Sequence, residues 1–274
     1  MKKKGLLVLF LIIGINFYAQ KLEKVKGSKI VITTERAFDT IKGIELHKNL
    51  DVTIIKAQEN KLVIFADDNL HDVVLTDITD GILDIDLSNR ITRKKKFELT
   101  LYLTNLEEVT LNDSSKLTNN EYFNSEEVQI NLNDKSQGNL MFDASKITLL
   151  ANDHCKGELL LKADTIEINL QENSKLNIGV SANNLEVNAN QKSSVTLEGK
   201  ADQATITASN SARVKASNFK IKDAFIKADD NTALYINATK NIEIKALGKS
   251  KIYLYGNAKI DLSAFKDNAM LYKR

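Results

Sequence analysis

From Val128 onward the chain alternates apolar and polar residues in five-residue runs that return at nearly constant intervals. Val128-Gln129-Ile130-Asn131-Leu132 is followed by Ile147-Thr148-Leu149-Leu150-Ala151 and Ile166-Glu167-Ile168-Asn169-Leu170. The series runs on through Leu185–Ala189, Ala204–Ala208, Ala224–Ala228 and Ile242–Ala246, so that the runs start at positions 128, 147, 166, 185, 204, 224 and 242. Val109-Thr110-Leu111 opens a less regular first turn. Alternation with period two predicts strands with one buried and one exposed face. Polar corners such as Asn133-Asp134, Asn152-Asp153, Gln171-Glu172, Asn190-Gln191 and Asp229-Asp230 follow the runs. These residue types tolerate a left-handed backbone. A second alternating strand follows each corner, as in Leu176-Asn177-Ile178, Leu234-Tyr235-Ile236 and Ile252-Tyr253-Leu254.

A unit of this size cannot bury its apolar face alone, whereas units stacked one per layer bury it continuously. The pattern therefore predicts an all-β fold, a right-handed parallel β-helix (a β-solenoid with one repeat unit per coil). Eight layers at about 4.8 Å would make a rod on the order of 40 Å long. Ile130, Leu149, Ile168, Val187, Ile206, Ile226 and Ile244 would form one inner column. Leu132, Ala151, Leu170, Ala189, Ala208, Ala228 and Ala246 would form the next, narrower one. The rival is an up-and-down antiparallel barrel, but barrels are built of hairpins, and the repeated corner chemistry favours a coil. Residues 28–105 are strand-rich without the period, with alternating segments at Phe38 to Leu46, Val52 to Ile55, Leu62 to Phe65, Leu83 to Leu87 and Phe97 to Leu103. The absence of Pro fits many consecutive hydrogen-bonded strands, since Pro cannot donate to a sheet ladder.

Lys2, Lys3 and Lys4, the apolar run Leu6 to Phe17 and Tyr18-Ala19-Gln20 read as a secretory signal, cut after Ala19. The apolar run is too short to span a bilayer, and no lipidated Cys follows it. Removing the three lysines takes the formal charge from +2 to −1 (2 − 3 = −1), which argues against nucleic acid as a partner. The single Cys155 rules out a disulfide scaffold and reads as a small buried hydrophobe. The expected location is the periplasm, with the cell surface or the medium as the other destinations.

Arg36-Ala37-Phe38, Ile41, Ile44-Glu45-Leu46, Val52-Thr53-Ile54, Leu62-Val63-Ile64, Asp68-Asn69-Leu70 and Asp80-Gly81-Ile82-Leu83 stand in the order of one known pattern. Phe97-Glu98-Leu99-Thr100-Leu101 and Leu106-Glu107-Glu108-Val109 continue it. In these segments the chain resembles the putative auto-transporter adhesin, head GIN domain family of exported bacterial proteins, from Arg36 to the last coil. The resemblance implies an all-β fold of solenoid character, export to the envelope and adhesion, and it brings no catalytic residues with it. Asn112-Asp113-Ser114-Ser115 departs from the pattern, where members carry a Gly-Ala-like small pair. The expected organisation is a signal peptide at 1–19, a lead-in at 20–35, a strand-rich part of the head domain at 36–105, solenoid repeats at 106–264 and a tail at 265–274.

Little catalytic chemistry is visible. His47, His71 and His154 are far apart, and adjacent His154 and Cys155 would point to opposite faces of a strand. No phosphate loop, nucleophile elbow or zinc-helix motif occurs. A β-helix polysaccharide lyase would need clustered carboxylates for calcium and a basic residue beside them. Stacked Glu167 and Glu186, with Asp134 and Asp229-Asp230 at corners, are the nearest approach, but Gln129, Thr148, Thr205 and Phe225 occupy equivalent places. No catalytic residue, metal or cofactor is therefore expected. Tyr235, Tyr253 and Tyr255 point outward by parity, with Tyr235 and Tyr253 in one column near Lys215 and Lys251. Exposed aromatics beside cations suit sugar rings or a protein partner. The outward Asn131, Asn169, Asn188 and Thr207 add repeated hydrogen-bonding groups. The expectation is a non-enzymatic binding protein with an extended polar face for a glycan or cell-envelope partner. A carbohydrate-active lyase or hydrolase and a structural periplasmic protein are the alternatives. A groove holding three or more carboxylates and a basic residue would favour the enzyme, and a flat polar face would favour binding.

Overall fold

The computed structural model describes residues 22–274, so the expected export signal at 1–19 lies outside them. The head of the molecule contains β1 (Lys24–Lys26), β2 (Val31–Phe38), β3 (Gly43–Leu46), β4 (Asp51–Lys56) and β5 (Asn60–Asp67). After a 3-10 turn at Asp68–Leu70 come β6 (Val74–Thr79), β7 (Ile82–Leu87), β8 (Arg90–Arg93) and β9 (Phe97–Leu103). The repeats begin with β10 (Glu108–Leu111), β11 (Lys116–Asn119) and β12 (Phe123–Leu132). They continue with β13 (Gln137–Ala151), β14 (Lys156–Leu170), β15 (Lys175–Ala189), β16 (Ser194–Ala208), β17 (Arg213–Ala228) and β18 (Ala233–Ala246). The last strands are β19 (Lys251–Tyr255), β20 (Lys259–Phe265) and β21 (Met270–Lys273).

From β10 onward every ladder is parallel, and the laps lie in register, for example Ile130 on Leu149, Ile168 on Val187 and Val187 on Ile206. The result is a β-solenoid of about nine turns, and hairpin pairing of the repeats does not occur. Each lap has two straight runs. Within β13 to β15 the ladder skips Ser145 and Asp164, and burial loses its alternation there for two consecutive exposed positions. That skip marks the bend from one face to the other. Both expected inner columns, Ile130 to Ile244 and Leu132 to Ala246, are fully buried.

The corners show why Asn, Asp and Gln recur. At Asn133-Asp134-Lys135-Ser136, the two central residues have φ of 52° and 65°, and Ser136 N–H donates to Asn133 carbonyl at 3.0 Å. This is a type I′ turn, which requires two successive left-handed residues. Asp153 and His154, Glu172 and Asn173, and Gln191 and Lys192 repeat it. Asp113 and Ser114, where the family pattern carries small residues, make the same turn at φ of 52° and 63°. A side chain is therefore tolerated at that corner.

Stack order and chain order part company in the head. β3 lies between β7 and β10, and β4 lies between β9 and β11, all parallel. The lap at 43–56 is thus inserted between two laps that follow it in sequence. β6 caps β7, and β5 and then β2 extend β9, by antiparallel pairing. The first face of the rod therefore runs from β6 to β20, and the second from β2 to β21.

Candidate functional site

One outward column runs almost the length of the second face. Register places Thr118, Asn139, Glu158, Asn177, Thr196, Lys215, Tyr235, Tyr253 and Tyr272 in succession. Parallel in-register strands bring equivalent side chains to about 4.8 Å, close enough for rings to lie face to face. Tyr235 and Tyr253 stack with centroids 4.6 Å apart and planes at 10°, and Tyr253 and Tyr272 stack at 5.0 Å and 12°. The Arg274 guanidinium sits 5.6 Å from the Tyr253 centroid.

The structure brings the five sequence-predicted residues to one patch. Lys215 continues the column below Tyr235. Lys251 and Tyr255 flank Tyr253 on the same strand, in register with Ala233 and Asn237 and on the same outer side. Sequence reasoning missed Tyr272 and Arg274. The signal was present: Tyr272 follows Tyr253 by one full repeat with the same parity, but its segment reads as a tail beyond the last coil.

Below Lys215 the column borders an open groove of about 690 Å³, lined by Asn139, Glu158, Asn177 and Thr196 in one outward row and by Met141 and the exposed Leu160 in the next. Gly179 makes room for Leu160, because a Cβ there would come within 2.6 Å of its Cδ2. Lys215 stands between the groove and the tyrosine stack in the same column. On the first face the outward Asn column is partly self-satisfied: Asn188 Nδ2 donates to Asn169 Oδ1 at 3.0 Å, and Asn131 Nδ2 donates to Thr110 Oγ1 at 3.2 Å.

The first face also carries a groove of about 800 Å³, lined by Glu186, Asp223, Glu243, Asp261 and Lys259 together with Phe225. Its four carboxylates and one lysine meet the composition expected of an enzyme groove, and they are spread over several laps. In one outward column Thr205 and Phe225 hold Glu186 three laps, roughly 14 Å, from Glu243, while Asp261 stands one lap beyond Glu243 as its register partner. Asp223 accepts a 2.6 Å hydrogen bond from Asn241 Nδ2. Among the described residues no three His, Cys, Asp or Glu side chains converge as a metal site. Of the histidines, His47 Nε2 approaches Glu45 at 3.4 Å and Asp84 at 3.5 Å, and partial burial raises the Asp84 carboxyl above its ordinary range despite the imidazole. His71 is buried against Thr34 at 2.7 Å, and His154 is exposed beside buried Cys155.

A stack of parallel laps with a lateral strip of stacked rings, cations and amides defines the molecule as a β-solenoid. The chain belongs to the family described as putative auto-transporter adhesin, head GIN domain, whose pattern matches residues 38–258. A crystal structure of a putative adhesin from Parabacteroides merdae is similar over 92% of this chain and 99% of that one, at 18% identity and a TM-score of 0.70. A putative adhesin from Parabacteroides distasonis matches over 91% and 100%, at 14% identity and a TM-score of 0.69. A third structure, described as a putative lipid binding protein from the same species, matches over 92% and 97% with 14% identity and a TM-score of 0.60. These likenesses show the fold. Among curated proteins, none matches this chain.

Proposed function

We propose that this protein is an exported, non-enzymatic adhesin-like binding protein that takes an extended glycan of the cell envelope along its second face. Membership of the adhesin family supports the adhesin-like role and an envelope location. No helix among the described residues is long and apolar enough to cross a membrane. The observation that carries the ligand class is the stack Tyr235–Tyr253–Tyr272 in the same column as the Asn139–Thr196 groove wall. The ring faces are engaged with one another, so the stack offers aromatic edges and phenol hydroxyls to a sugar, and amides and carboxylates spaced one lap apart suit its hydroxyls. Lys215 and Lys251 would add charge for acidic sugars. The preformed strip lowers the ordering cost of a long ligand held by many weak contacts. One structural neighbour is described as lipid binding; here the interior is filled by the core side chains, so an acyl chain has no internal seat.

A glycan-array screen of the purified protein, with and without calcium, tests this reading. Binding should be independent of calcium, and Tyr235→Ala with Tyr253→Ala should remove it while the thermal midpoint shows the fold retained. Binding that survives the double substitution, or the appearance of cleaved polysaccharide, overturns the proposal.

A further inference from the structure

The four outermost strands of the rod pair on one side only. Among the described residues, β6 pairs with β7 alone and β2 with β5 alone at the head, and β20 with β18 alone and β21 with β19 alone at the tail. Apolar exposure is concentrated at the same places. Nine of the twelve exposed large apolar side chains lie on or beside these four strands, among them Ile32, Leu75 and Ile78 at the head and Ile260, Leu262 and Phe265 at the tail. Lone apolar residues scattered on a surface need no explanation, but clusters on open strand edges invite pairing.

The two ends differ in a way that selects the partner. The head covers its core: Leu70 is buried, and Arg36 bridges β2 to β6 by donating to the Val74 carbonyl at 2.7 Å and the His71 carbonyl at 2.8 Å. The tail leaves its last core positions open, with Leu262 48% exposed although it continues the buried column above Ile244. Charge differs as well. At the head, residues 72–80 carry three acids, Asp72, Asp77 and Asp80, and no base, and β2 adds Glu35 and Arg36, which offset each other; at the tail, residues 259–274 carry four bases against Asp261 and Asp267. Tail against tail would set like charge on like, and tail against head sets opposite signs together.

We infer that the rod ends are a head-to-tail joint between copies of this chain, the tail of one copy seated on the head of the next. β20 would extend along β6, and β21 along β2, so each face continues from copy to copy. A second copy is the occupant because the joint needs two strand edges at the spacing of the two faces, plus acids opposite the tail's lysines, and the head supplies all of these. Such a heterologous joint does not close on itself and gives open chains of copies.

Sedimentation velocity of the purified protein over a concentration series tests the joint. Wild type should form concentration-dependent chains that shorten as salt rises. Leu262→Lys, which blocks the tail, and Ile78→Lys, which blocks the head, should each be monomeric alone and should form a dimer and nothing longer when mixed. Thermal melting checks that both fold; should either fail, Lys259→Glu with Lys273→Glu replaces the tail block and Asp77→Lys the head block. A wild type that stays monomeric at every concentration overturns the inference. So does a head-blocked variant that still dimerises, which would mark a tail-to-tail contact, or a mixture that fails to associate.

Discussion

The last residue of each turn is small and buried: Ser115, Ser136, Cys155, Ser174, Ser193, Ala212, Thr232 and Ser250 occupy equivalent places. Their hydroxyls are unequal. Ser174 Oγ donates to the Gln171 carbonyl at 2.6 Å, whereas the oxygens of Ser193, Thr232 and Ser250 have no partner. Ser174→Ala should therefore cost about 1 kcal/mol, while Ser193→Ala should be neutral or stabilising; urea midpoints decide. Cys155 fills the same place and donates to the Asn152 carbonyl at 2.7 Å, and burial pushes its thiol above the ordinary range. It should react with a thiol reagent only as the chain unfolds. Burial works against the Asp67 carboxylate, but the backbone N–H groups of Lys95, Lys96 and Lys29, 3.0–3.1 Å away, outweigh it and hold the carboxyl below its usual range. The charged form is thus favoured in the folded state. Its contribution is present above the ordinary Asp range and lost as pH falls through the lowered value. Asp67→Asn should lower the urea midpoint at neutral pH and flatten its decline in acid.

At the scale of the element, the repeated turns keep residues with side chains in left-handed conformations that Gly would adopt more easily. Lys192 has φ of 62°. Lys192→Gly should raise stability by about 0.5–1 kcal/mol, because relief of the left-handed strain exceeds the added chain entropy. Gly199 is the opposite case: its φ is 106°, and a Cβ would strike the Val180 carbonyl oxygen of the lap below. Gly199→Ala should cost roughly 1–3 kcal/mol by thermal melting. Gly199 lies just past a register shift between Thr196 and Glu198, and this bulge explains why the interval from Ala204 to Ala224 is longer than those before it. The periodic laps were legible from sequence because strand parity and turn chemistry repeat together, and the same parity placed Tyr235 and Tyr253 in one column. The groove beside them was not legible: it depends on Gly179 standing above Leu160, a contact between laps that no single run of residues reveals. The head was legible as strands but not as laps, since its antiparallel insertions and exchanged order remove the constant spacing.

For the whole molecule, each lap of the repeats packs chiefly on its two neighbours, so damage to one inner column should weaken two interfaces and leave distant laps unaltered. Ile168→Ala, at a fully buried position between Leu149 and Val187, should cost about 2–5 kcal/mol, with hydrogen exchange rising first in β13 to β15. The inserted lap gives the head a different temporal logic. Synthesis, and export in the same N-to-C order, delivers β3 and β4 before either of the layers that will flank them, so this segment waits with both borders bare until β7 and β9 have followed, and with one border bare until Asn119 has. Every later layer can zip onto a finished platform as it emerges. Folding speed should therefore be limited by that one early, long-distance closure, and adding or deleting a downstream repeat should leave the refolding rate almost unchanged.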